Sequence, residues 1–110
     1  MSKSILKLYK AIELMRQRLN NSDVQAPMIL VLLDVASRKT TAFTELQNTV
    51  GVKQGTVSRI VAKLGCGMPG ESGLNLVVAY EDPDYRRQKV VELTPAGKAI
   101  IEEIEAALAE

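Results

Sequence analysis

The chain has no histidine, no tryptophan and one cysteine, and its four aromatics (three Tyr, one Phe) make up only 4% of 110 residues. Without histidine, the usual zinc ligand set, the His-dependent triads and the commonest general base are all missing. An enzyme is therefore not expected, nor is a metal or cofactor. Cys66 alone cannot form an internal disulfide, which agrees with a reducing compartment. With so few aromatics the core must be aliphatic, and a hydrophobic content of 46% is enough to build one. No run approaches the roughly 18 uncharged apolar residues that span a bilayer. Lys7, Lys10 and Glu13 interrupt any N-terminal apolar segment that could serve as an export signal. The expectation is a cytoplasmic protein with no membrane partner.

A net charge of +1 says nothing about partners, but its distribution does. Between Asp34 and Glu71 the only acid is Glu45, against Arg38, Lys39, Lys53, Arg59 and Lys63. The first twenty residues are also basic, and the final stretch, with Glu102, Glu103, Glu105 and Glu110, is acidic. A nearly neutral chain with a basic middle is what a localised anion-binding face requires.

Apolar periodicity predicts a first helix over 4–19 with a stripe of Ile5, Leu8, Ile12, Met15 and Leu19, stopped by Asn20-Asn21-Ser22. A second helix over 27–37, containing MILVLLDVA, is apolar nearly all round and should be buried at the centre. Thr41-Ala42-Phe43 reads as a short extended piece. Residues 44–50 open with T-x-x-Q (Thr44, Gln47), a capping-box pattern, and are followed by Gly51, suited to a left-handed helix end. A further helix runs from 53 to 64. Two short helices joined at a glycine make a helix-turn-helix, whose second helix enters the major groove of DNA.

That second helix, within VKQGTVSRIVAKLG, has two unlike faces. Val57, Ile60, Val61 and Leu64 recur at helical spacing, while Lys53, Gln54, Thr56, Ser58, Arg59 and Lys63 form a polar side without acids. Such a side is either a solvated surface or a reading face; the acid-poor surroundings favour phosphate or base contact. The stretch GCGMPGESG (65–73), with four glycines, reads as a flexible loop. Strands are predicted over 74–80 and 88–93, flanking a polar turn over 81–87 that contains Pro83. Thr94 caps a last helix with Pro95 at its first position and an Ile100, Ile104, Leu108 ridge. The fold class is mainly α with a small β-hairpin, a winged helix in one domain over 1–110. Its parts are a helix-turn-helix over 44–64, a wing over 74–93, and terminal helices over 1–22 and 95–110.

Two stretches, VKQGTVSRIVAKL and DYRRQKVVELTPAGKAI, resemble the multiple-antibiotic-resistance regulator (MarR) family. The second carries that family's D-x-R wing signature and L-T-x-x-G in Asp84, Arg86, Val90, Leu93, Thr94 and Gly97. With the order of elements, the resemblance covers nearly the whole chain. It implies a homodimeric transcriptional regulator, often a repressor, on a roughly palindromic operator of double-stranded DNA. It also implies major-groove contacts for Thr56, Ser58, Arg59 and Lys63, and a minor-groove contact for Arg86. Gln54, near the start of the helix, is a further base-contact candidate, and Lys53 and Arg87 join the basic set. Asp84 is expected to orient Arg86, either to present it to DNA or only to stiffen the turn.

The terminal ridges (Ile5, Leu8, Ile12, Ile100, Ile104, Leu108) could complete the chain's own core or a dimer interface. In so small a chain the shared interface is favoured, with the basic first and acidic last helices attracting each other across it. Cys66 follows a helix C-terminus, where the dipole does not activate a thiol, so a redox role is not favoured. The rival readings are a winged-helix protein-interaction module and an architectural or replication accessory DNA-binding protein of a plasmid or virus. The sequence identifies no small-molecule effector.

Overall fold

The computed structural model describes residues 2–19 and 24–109, so the expected stop at 20–22 lies outside the described residues. The elements are α1 (Lys3–Arg18), α2 (Ala26–Ser37), β1 (Thr41–Ala42), α3 (Phe43–Val50), α4 (Gln54–Leu64), β2 (Val77–Asp82), β3 (Tyr85–Leu93) and α5 (Pro95–Leu108). The three strands form an antiparallel sheet in the order β1-β3-β2. This is a winged helix-turn-helix, mainly α with a small sheet.

The core is aliphatic, as the shortage of aromatics requires. Leu32, Leu46, Leu64, Val31, Val35, Val57 and Val91 are fully buried, and Phe43 packs only at the margin. On α2, Met28, Val31, Leu32 and Val35 face the core, but Leu30 is exposed. That helix is therefore central without being enclosed. Ser2 caps α1 by accepting the Ile5 N–H, and Thr94 caps α5 by accepting the Gly97 N–H at 3.1 Å.

The capping pattern of α3 lies two residues earlier than Thr44 and Gln47 suggest. Ala42 is the N-cap residue, and the Glu45 carboxylate accepts its N–H at 3.1 Å. Glu45 can do this because it stands three residues into the helix, the position from which a side chain reaches back to the cap.

The wing also departs from the expected boundaries. Leu74, Asn75 and Leu76 are not in the sheet, because their amides bond the Lys63, Gly65 and Leu64 carbonyls at the end of α4. Asn75 further has a φ of 57°, incompatible with an extended strand. The polar turn shrinks to Pro83-Asp84, and β3 takes in Tyr85, Arg86 and Arg87. The stretch 65–73 makes close backbone contacts. A Cβ on Gly73 would sit 2.0 Å from the Gly65 carbonyl oxygen, and one on Gly67 2.3 Å from that of Glu71. Its glycines allow backbone to lie on backbone.

Ile100 and Ile104, expected in a dimer interface, are 9% and 4% exposed and belong to the chain's own core. The reason is that α1 lies along α5 and covers that ridge. The expected attraction between basic and acidic terminal helices likewise occurs within one chain, where Arg18 Nε meets Glu103 Oε2 at 2.8 Å.

One core group lacks a partner. Thr41 is fully buried, and among the described residues its Oγ1 has no hydrogen bond. Replacing a buried unsatisfied hydroxyl with a methyl of the same shape removes a desolvation cost. Thr41→Val is therefore expected to raise stability by about 1 kcal/mol, read as a higher urea midpoint with an unchanged slope. A lower midpoint would show that the hydroxyl has a partner in solution.

Candidate nucleic-acid interface

The helix-turn-helix is set by a few local features. Gly51 ends α3 in the left-handed conformation (φ 76°), and its N–H bonds the Gln47 carbonyl at 3.0 Å. Lys53 starts α4, its carbonyl accepting the Val57 N–H at 3.0 Å. Val57, Val61 and Leu64 anchor α4 in the core. The opposite side is then forced outward. Lys53, Gln54, Ser58, Arg59 and Lys63 are exposed and Thr56 is half-buried. An eleven-residue helix is about 16 Å long and, with side chains, roughly 10–12 Å thick, which fits a major groove about 12 Å wide.

α4 stands between two grooves, which split its polar side. Thr56, Arg59 and Lys63 line one of about 440 Å³ toward Gln25 and Pro27 at the start of α2. Ser58, Ala62 and Cys66 line the other, about 530 Å³, toward Ala79, Glu81 and Lys89 of the wing. The helix is therefore a ridge with open space on both sides.

Residues 46–70 contain no acid. Glu45, at the start of α3, is paired with Arg38, which also meets Asp34 Oδ1 at 3.5 Å. Lys53, Arg59, Lys63, Arg86, Arg87 and Lys89, by contrast, make no ion pair among the described residues. Unpaired cations on an acid-free helix give a local positive potential even on a nearly neutral chain.

The wing is built differently. Glu81 pairs in register with Lys89, yet the next residue, Asp82, pairs with Tyr85. Arg86, Arg87 and Gln88 therefore have no partners on β2 and form a bulge, the kind of irregularity that redirects side chains. Both arginines are exposed. The expected Asp84–Arg86 pair is absent among the described residues; Asp82 instead orders the turn, its Oδ1 accepting the Asp84 N–H at 2.9 Å. The reason is reach: Asp82 sits two residues before the amide it caps, as in an Asx turn. Over 81–89, Glu81, Asp82 and Asp84 balance Arg86, Arg87 and Lys89. The wing thus presents two arginines on a locally neutral hairpin.

Lys89 escaped the sequence reading as a site residue. Its signal was strand parity, since it lies two residues from the buried Val91 and so shares the face turned toward α4. At the base of the wing, partial burial and the Glu92 carboxylate, 3.4 Å from the phenol oxygen, hold the Tyr80 hydroxyl above its ordinary pKa. The Tyr80 hydroxyl donates to Glu92 and so ties β2 to β3. No group of His, Cys, Asp and Glu among the described residues could hold a metal ion, and no described helix is long and apolar enough to cross a membrane.

No family model and no curated protein matches the sequence. Solved structures do match. RV1404 from Mycobacterium tuberculosis superposes with a TM-score of 0.72 at 18% identity, over 96% of this chain and 66% of that one. A MarR variant from E. coli, complexed with operator DNA, gives 0.64 at 23% identity, over 94% and 69%. BpsR of Bordetella bronchiseptica, whose DNA binding is regulated by 6-hydroxynicotinic acid, gives 0.62 at 22%, over 92% and 71%. At such identities the likeness is one of fold, and this chain accounts for about two thirds of each of the longer proteins. The helix-turn-helix, the wing and the flanking α1 and α5 together give this chain the winged-helix fold of the MarR regulators.

Proposed function

We propose that this chain is a sequence-specific double-stranded DNA-binding transcriptional regulator, a repressor that acts as a homodimer on a palindromic operator. The observation that carries the reading is the exposed, acid-free side of α4 with Arg59 and Lys63 unpaired, on a fold that a MarR variant uses with operator DNA. In this reading α4 enters the major groove, where Arg59, Gln54, Thr56 and Ser58 meet base edges and Lys53 and Lys63 meet phosphates. Arg86 and Arg87 enter the minor groove from the bulge of the wing.

Dimerisation is supported by apolar surface left uncovered among the described residues. Ile5, Leu8, Tyr9 and Ile12 on α1 are 54%, 51%, 54% and 39% exposed, and Leu108 on α5 is 47% exposed. A cluster of large apolar side chains on adjoining helices marks an interaction site. A two-fold copy would cover it with the same patch, as an isologous contact requires.

Selection of bound fragments from a random duplex pool tests the proposal, with sedimentation of the selected complex. The expected result is an inverted repeat that binds two chains. Its affinity should fall with salt with a logarithmic slope of about 0.9 per phosphate neutralised. Undetectable duplex binding at low salt would replace this reading with that of a protein-interaction module.

A further inference from the structure

The acid-poor middle of the chain keeps two carboxylates close to the helix-turn-helix, and both meet one side chain. Arg38, at the C-terminal end of α2, brings Nε to 3.5 Å from Asp34 Oδ1 and bonds Glu45 Oε2 through Nη1. The other oxygen of each carboxylate is also used. Glu45 Oε1 accepts the Ala42 N–H at 3.1 Å, and Asp34 Oδ2 lies 3.2 Å from the Thr49 hydroxyl, which shares its one proton between that carboxylate and the Glu45 carbonyl at 2.9 Å. Glu45 stands in the first turn of α3 and Thr49 in its last. One guanidinium and two carboxylates therefore tie both ends of α3 to α2.

That matters because α3 is short and only partly enclosed. It is eight residues long, and only Leu46 is fully buried. Phe43 and Val50, at its two ends, are only partly buried against the core, and the polar ties add to their hold. α4 follows α3 through a tight turn at Gly51 and packs on it. How α3 lies on α2 thus contributes to the angle of α4, beside the core anchors Val57, Val61 and Leu64.

We propose that Arg38 is a positioning residue for DNA binding: it aligns α3, and hence α4, and neutralises Asp34 and Glu45, without itself touching DNA. The proposal rests on the DNA-binding reading above. A guanidinium is suited to the role because its planar fork donates to two carboxylates at once. Lysine, a point charge, satisfies one at a time.

The test compares the full chain with Arg38→Ala and Arg38→Lys, using the duplex selected for the parent and amide hydrogen exchange without DNA. Arg38→Ala should weaken binding about five-fold, the size of a loss of one partly exposed ion-pair network, with the salt slope unchanged. Arg38→Lys should recover only part of it. In the free protein, exchange in Arg38→Ala should accelerate at Ala42, in α3 and in the first turn of α4, while α1 and α5 keep the parent's rates. A salt slope reduced by about 0.9 would make Arg38 a phosphate contact and overturn the proposal. Uniform acceleration across all helices, or none in α3, would also overturn it. If the parent binds no duplex, the functional reading fails on its own, and the exchange pattern still decides whether Arg38 positions α3.

Discussion

Arg59→Ala is expected to remove sequence discrimination as well as affinity. Arg59 is exposed on the acid-free side of α4, makes no ion pair among the described residues, and borders an open groove. A guanidinium so placed can bond a guanine edge through two parallel donors, worth about 1–3 kcal/mol of discrimination against the wrong base. That corresponds to roughly 5- to 150-fold between matched and mismatched duplexes. Arg86→Ala and Arg87→Ala should behave differently. Both sit in the bulge of a locally neutral wing, and the minor groove distinguishes little beyond AT from GC. Losing either should weaken all operators and shorten the footprint at its outer edges, leaving the preferred core unchanged. Binding-site selection on the three variants beside the parent separates the two elements. A core preference rewritten by the wing variants, with Arg59→Ala merely weaker throughout, would mean that α4 and the wing have exchanged grooves.

Gly97→Ala should have the largest effect on stability, against the ordinary preference of helices. In a free helix alanine is favoured over glycine by about 1 kcal/mol. Here a Cβ on Gly97 would lie 2.1 Å from the Leu76 carbonyl oxygen and 3.1 Å from Leu93 Cδ2. The Leu76 carbonyl cannot withdraw easily, because it accepts the Thr94 N–H at 3.0 Å. Its neighbour is held too, with the Thr94 hydroxyl donating to the Asn75 carbonyl at 2.7 Å. The L-T-x-x-G motif is thus a joint that locks α5 against the segment leading into the wing. Forcing a methyl into it should cost about 2–3 kcal/mol, lowering the thermal midpoint by roughly 10–20 °C for a chain of this size. A midpoint at or above the parent's would show that α5 and residue 76 can part without loss.

The helices were legible because their signals are local. A 3.6-residue apolar period, a Pro at a first turn and a Gly at a left-handed end depend only on near neighbours. Accordingly α2, α4 and α5 begin and end within a residue or two of expectation, with Gly51 and Thr94 in the expected places. The acid-free side of α4 was equally legible, since burying Val57, Val61 and Leu64 leaves the polar residues only one direction to face.

Other features could not be read locally. Ile5, Leu8 and Ile12 have the same helical spacing as Ile100 and Ile104, yet the first set is exposed and the second is core. Periodicity says that a face is apolar, and only packing says what covers it. The start of the wing was misplaced because Leu74, Asn75 and Leu76 have strand-like composition but give their amides to the end of α4. Nor does composition reveal that Gly67 and Gly73 let backbone lie on backbone while Gly70 faces open space.

The sequence by itself determined the helix-turn-helix, the aliphatic core and the basic, acid-free side of α4, because each follows from residue type and short-range spacing. Tertiary structure alone decided the bulge that carries Arg86 and Arg87, the pairing of Arg38 with Asp34 and Glu45, and the division of apolar ridges between core and surface. Those depend on contacts between residues distant in the chain, whose free energies no local pattern encodes.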